Sequence, residues 1–165
     1  MSSEQDKKNE NTSQTIQLVV FSVGREQYGV EIEKVQEVIR MGTIKKLPRS
    51  PNFVLGVMNL RGNIIPIIGL REKFGMESRD YNEFTRIIVV NNNGKLAGMV
   101  VDEVNRVIQV SVENIEQNPE MVSHETKTLV KGIARYGEEV IILVELDYLV
   151  YSVEEVHSET FSSNP

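Results

Sequence analysis

Gly29-Val30-Glu31-Ile32-Glu33-Lys34-Val35-Gln36-Glu37-Val38-Ile39 lines up without a gap on Gly98-Met99-Val100-Val101-Asp102-Glu103-Val104-Asn105-Arg106-Val107-Ile108. Glycine opens each segment, and the valine, valine, isoleucine set falls at the same offsets. Gly56 to Leu70 and Gly132 to Leu146 also correspond, each with a central turn and an apolar second strand, and Leu18 to Phe21 corresponds to Ile87 to Val90. Each half therefore reads as strand, turn, strand, short turn or helix, then hairpin. That order describes a small β-barrel used twice.

The apolar segments that carry the repeat are short and β-branched: Ile16 to Val23, Val57 to Leu70, Arg86 to Asn91, Leu96 to Val101, Val130 to Tyr136 and Val140 to Leu146. Turn signals at Gly24, Arg61-Gly62, Asn93-Gly94 and Gly137 separate them, as expected for a mainly antiparallel β protein. Glu33 to Arg40 reads either as a short helix, with Val35, Val38 and Ile39 on one side, or as a continued strand. Leu146, Leu149, Val150, Val153 and Val156 recur at helical spacing and predict a C-terminal helix reaching about Glu159. The polar stretches 1–14 and SETFSSNP read as flexible tails.

Charge narrows the possible partners. The 18 basic and 24 acidic residues leave a net charge of −6, which repels phosphate backbones unless the cations cluster. The densest group, Lys45, Lys46 and Arg49, lies in a loop signalled by Pro48 and Pro51, so nucleic acid is not an expected partner. A β-barrel binding single strands would need a basic groove with stacking aromatics, and aromatic residues make up only 6%. No run is long and apolar enough for a membrane span, and MSSEQDKKNENTSQT has no apolar signal core. With no cysteine, a reducing, cytoplasmic location is expected.

Catalysis finds no carrier. His124 and His157 are the only imidazoles, and Ser123-His124-Glu125 are sequence neighbours, whereas a triad draws its members together across a fold. Asp102-Glu103 and Glu138-Glu139 are adjacent pairs beside turns, where solvation is the ordinary reason for carboxylates. No phosphate-cradling loop, dinucleotide fingerprint or metal-ligand spacing occurs. A protein without enzymatic activity, cofactor or metal is expected. Pro48-Arg49-Ser50-Pro51 reads as a stiff connection, and Pro66 inside a strand suggests an edge or a bulge.

One stretch stays unexplained by these readings. NLRGNIIPIIGL, Asn59 to Leu70, sets a bare arginine at the tip of a hairpin, where Arg61 binds something, does chemistry or only holds the turn. With LPRSPNFVLGVM before it and REKF after it, this stretch resembles the signature of the CheW family of bacterial chemotaxis coupling proteins. YGVEIEKVQEVI and LAGMVVDEVNRVI resemble the family's other strong stretches. The likeness covers about Thr15 to Tyr151, and residues 152–165 would hold the end of the helix and a tail.

The resemblance implies a mainly all-β fold of two SH3-like five-stranded β-barrels packed together. It implies a non-enzymatic adaptor joining the cytoplasmic tips of chemoreceptors to the histidine kinase CheA through the kinase's regulatory domain. Pairing with other CheW-like domains in rings under the membrane is a further implication, and a non-flagellar signalling array is an alternative setting. Carried over by position, the receptor surface would include Val35, Glu37, Val38 and Arg61, with the glutamate and arginine forming an ion pair. Met121 would face the kinase. At Gly69 the family usually has Asp, so nothing is carried over for that position.

Overall fold

The computed structural model describes residues 14–117 and 129–150. Eleven strands are present among them: β1 (Thr15–Val23), β2 (Glu26–Glu31), β3 (Val35–Arg40), β4 (Val54–Leu60), β5 (Asn63–Gly69), β6 (Arg86–Asn92), β7 (Lys95–Val101), β8 (Glu103–Ser111), β9 (Ile115–Gln117), β10 (Val130–Tyr136) and β11 (Glu139–Val144). A short helix α1 (Leu70–Lys73) follows β5, and residues 146–150 are helical, labelled α2. The rest of the expected C-terminal helix, like Met121, His124 and His157, lies outside the described residues.

The strands form two sheets, ordered β8-β1-β2-β11-β10-β9 and β3-β6-β7-β5-β4. The mainly β architecture of two SH3-like units agrees with expectation, but the sequence halves are not the structural units. The leading hairpin β1–β2 of the first half joins β8 to β11 of the second, and β6–β7 of the second half joins β3 to β5 of the first. Each unit is completed by a hairpin from the other half. The six strands of one sheet, against the five expected, reflect β9, which pairs with β10 over three residues where the other sheet has a single bridge, Lys45 with Val57.

The repeat is exact in register where the halves interlock. The parallel pairing sets Gly29 against Leu143 in one sheet and Gly98 against Ile67 in the other. Bulges recur at matching places, between Val54 and Gly56 and between Val130 and Gly132. Both bulge glycines lie under a closing carbonyl, that of Lys45 or of Glu116, where a Cβ would collide. Pro66 lies on an inner strand beside the first of these bulges, and the parallel ladder begins only at Ile67, so no ladder bond is lost there.

Three apolar clusters explain why the strands read as runs and not as alternations. Leu18, Val20, Ile108 and Ile141 fill one barrel, and Ile65, Ile67, Ile87 and Val89 fill the other. The largest cluster lies between them: Val19, Phe21, Ile88, Val90, Met99 and Val101 pack there with Leu146, Leu149 and Val150 of α2. β1 and β6 are buried on both faces, one toward a barrel interior and one toward the shared core. Each such side chain contributes about 1.5–3 kcal/mol of burial. Phe21, Tyr28 and Phe74 stack through the same core.

Candidate protein-binding site at the Arg61 turn

The ambiguous segment Glu33 to Arg40 resolves as a 3₁₀ turn, Ile32–Lys34, followed by strand β3. Its β-branched residues fit a pleated surface better than a helix. A bulge between Val35 and Glu37 then sorts the side chains. Val35 stands opposite Val90 and Val38 opposite Ile88, both of the shared core, whereas Glu37 stands opposite Val89 and Ile39 opposite Ile87, both of the barrel interior. Without that extra residue, strict alternation would put Val35 and Val38 on different faces. Val35 is half-buried against the shared core, and Val38 remains 41% exposed at its rim.

Arg61 and Glu37 meet at the mouth of this barrel, the guanidinium Nη1 donating to Glu37 Oε2. The bond and the carboxylate's charge raise the guanidinium pKa further above its ordinary value. The Arg61 side chain is 71% exposed and that of Glu37 only 19%. Glu37 Oε1 is buried and has no hydrogen-bond partner.

The turn itself does not call for arginine. Arg61 has φ 52° and Gly62 φ 87°, the pair of left-handed residues typical of a tight two-residue hairpin, for which Asn-Gly is the ordinary choice. The equivalent turn between β6 and β7 uses Asn93-Gly94, with φ 56° and 88°. In both turns an asparagine side chain two positions before the first of the pair accepts from the glycine N–H, Asn59 from Gly62 at 3.0 Å and Asn91 from Gly94 at 2.8 Å. Holding the turn is therefore the work of Asn59 and Gly62. Arg61 accepts an unfavourable backbone conformation, which leaves its side chain as the reason for its presence.

A second cluster fixes how the barrels meet. Asp102, where β7 of one sheet passes into β8 of the other, receives a bidentate pair from Arg71 of α1, Nε to Oδ1 at 2.9 Å and Nη2 to Oδ2 at 2.7 Å. Gly24 N–H in the β1–β2 turn donates to Oδ2 at 2.8 Å, and Arg79 Nη1 approaches it at 3.6 Å. Burial works to raise the Asp102 pKa, but the bonds from Arg71 and Gly24 outweigh it and hold the carboxyl below its ordinary value. Asp102, expected from sequence to be a solvated turn residue, instead has partners that only the fold brings to it.

The same repeat points to two further residues, Val104 and Val107. Val104 stands opposite Phe21 and Val107 opposite Val19, both of the shared core, the same placement that Val35 and Val38 have in the other sheet. Val107 is 51% exposed. The alignment of Gly29 to Ile39 with Gly98 to Ile108 was the available signal. At Gly69 the space that a side chain would fill is taken by the Glu72 carboxylate, whose Oε2 is buried without a partner. No cluster of three or more His, Asp or Glu suited to a metal ion occurs among the described residues.

Residues 17–154 match the CheW-like domain family. The chain is 37% identical to the chemotaxis protein CheW of Klebsiella aerogenes over 84% of its own length and 83% of the relative's. It is 32% identical to CheW of Helicobacter pylori over 87% and 86% of the two chains. The crystal structure of the scaffolding protein TtCheW from Thermoanaerobacter tengcongensis superposes with a TM-score of 0.74 at 39% identity, covering 79% of this chain and 88% of that one. Fold, internal repeat and these relatives agree, and the protein belongs to the CheW-like family.

Proposed function

We propose that the protein is a non-enzymatic chemotaxis adaptor that couples chemoreceptor cytoplasmic tips to the histidine kinase CheA. The observation that carries the receptor-binding part is the Glu37–Arg61 pair: a conspicuously exposed guanidinium kept in an unfavourable turn conformation and aimed by a half-buried carboxylate. Apolar Val35 and Val38 lie on the opposite face of β3, the edge strand of its sheet. A receptor helix would bind with apolar anchors on the valines and a charged rim setting its register.

The kinase binds elsewhere, through its like-folded regulatory domain, with Met121 as a contact. Other CheW-like domains add to rings by the same pairing of like barrels. No helix among the described residues is long and apolar enough to cross a membrane, and the adaptor reaches the membrane through its receptors from the cytoplasm.

The test is a pull-down of the protein with a CheA regulatory domain and a receptor cytoplasmic fragment, comparing wild type with Arg61→Glu. Loss of the receptor with the kinase retained supports the reading and its receptor surface. A folded wild type that captures neither partner overturns it.

A further inference from the structure

Strand β3 runs on past its two valines. Its cross-strand pairs with β6 on the shared-core face are Val35 with Val90, Val38 with Ile88 and then Arg40 with Arg86. The third pair sets arginine opposite arginine, where Cβ atoms stand about 5 Å apart and like charges repel. Among the described residues neither arginine has a carboxylate within ion-pair distance. Arg86 Nη1 donates to the backbone carbonyls of Glu83 and Thr85, both at 2.8 Å, and Arg40 is exposed without such a tie.

The fold does not require this pair. In the internal repeat Arg40 falls on Gln109 and Arg86 on Gln17, and those glutamines stand opposite each other in the β1–β8 ladder. Phe84 falls on Thr15 by the same offset. Neutral polar residues serve the equivalent barrel at all three positions, whereas this one carries two guanidiniums and an aromatic ring. The ring is 51% exposed, yet its turn is fixed. Phe84 N–H donates to Asn82 Oδ1 at 2.8 Å, and Asn82 N–H donates to Thr85 Oγ1 at 2.9 Å. An exposed aromatic on a pre-ordered turn loses little freedom on binding. Arg40, Met41, Phe84 and Arg86 line an open hollow of about 510 Å³, together with Glu83, whose carboxylate pairs with neither arginine.

We infer that this hollow extends the receptor surface and selects an acidic residue of the receptor helix, with Arg40 and Arg86 holding its carboxylate and Phe84 covering its apolar stem. The inference rests on the receptor-binding part of the proposed function. Two observations choose that occupant. The unmatched positive charge calls for an anion, and the row of cross-strand pairs continues from Val38 without a break, so a helix seated on the valines reaches it. Val38 and Arg40 are two strand residues apart, about 6.6 Å, close to one helical turn of about 5.4 Å. The acidic residue therefore lies three or four positions from the apolar residue seated on Val38. Arginine opposite arginine costs the free protein stability, and the bound carboxylate restores it.

The test is fluorescence anisotropy of a labelled receptor cytoplasmic fragment titrated with the full chain, with thermal unfolding of the same samples. Arg40→Glu weakens binding at least about tenfold, while its thermal midpoint equals or exceeds that of wild type because the repulsion across the ladder is gone. Phe84→Ser weakens binding about tenfold with the midpoint unmoved. Replacing the fragment's acidic residues by lysine one at a time finds a position that loses wild-type binding and regains it with Arg40→Glu. An Arg40→Glu variant that binds like wild type, or one that rescues no fragment position, overturns the inference. A loss that appears on a CheA regulatory domain in place of the receptor overturns it as well. Arg61→Glu run alongside separates the two ideas: a fragment released by Arg61→Glu and held by Arg40→Glu sinks only the acidic site, and a fragment that wild type never binds sinks the receptor reading with it.

Discussion

Arg61 and Glu37, 24 residues apart in sequence, are joined across the mouth of one barrel by a hydrogen-bonded ion pair in which the arginine is the exposed member and the glutamate the shielded one. The glutamate is thereby the fixed point, and in the proposed function the arginine is the group presented to the receptor. A reversal at either residue is expected to lose receptor-fragment binding. Arg61→Glu combined with Glu37→Arg should recover more than the sum of the single effects, as measured by a double-mutant cycle on binding affinity. Additive losses would mean that the two residues act separately.

Stability should respond differently from binding at the same turn. Arg61→Gly relieves the left-handed backbone while removing the ion pair, and these oppose each other. The thermal midpoint is expected to stay within about 5 °C of wild type, with receptor binding lost. A large fall in the midpoint would return Arg61 to a structural role.

Asp102 gives an acid-sensitive signature. Its folded-state pKa is lowered, so its contribution is fully present above the ordinary aspartate value of about 3.9 and is lost as pH falls through the lower folded value. Asp102→Asn keeps the shape but weakens the bonds from Arg71, and should cost about 2 kcal/mol at pH 7. The difference between variant and wild type should shrink below about pH 4, as urea titrations at several pH values would show. A difference independent of pH would leave packing, not charge, as its cause.

Gly69 and Glu72 share one space. Gly69→Asp sets a second carboxylate against the buried Glu72 oxygen and should destabilise the fold by about 1–2 kcal/mol. Adding Glu72→Ala should recover most of that loss. If Gly69→Asp is neutral alone in denaturant unfolding, Glu72 moves aside freely and the exchange carries no coupling.

How much of this could be read from sequence depends on which residues interact at a distance. The β class, the repeat and the Asn-Gly style of turn are local patterns, and they hold. Leu18-Val19-Val20-Phe21 showed only that β1 is apolar throughout; that its alternate residues enter two different cores, and so that β1 belongs with β8, depends on the other half of the chain. The same limit applied at β3. Its letters suited a helix as well as a strand, and the bulge that puts Val35 and Val38 on one face has no local marker. The Glu37–Arg61 pair came from family resemblance, and Asp102 became meaningful only once Arg71 and Gly24 were brought to it.

The exchange of hairpins has a mechanical meaning. Were each half a self-contained barrel, two partners pulling on opposite ends would load only the seam between them. Here the seam is crossed by the chain's own ladders, β1 on β8 and β3 on β6. Tension must break many backbone hydrogen bonds together before the halves separate.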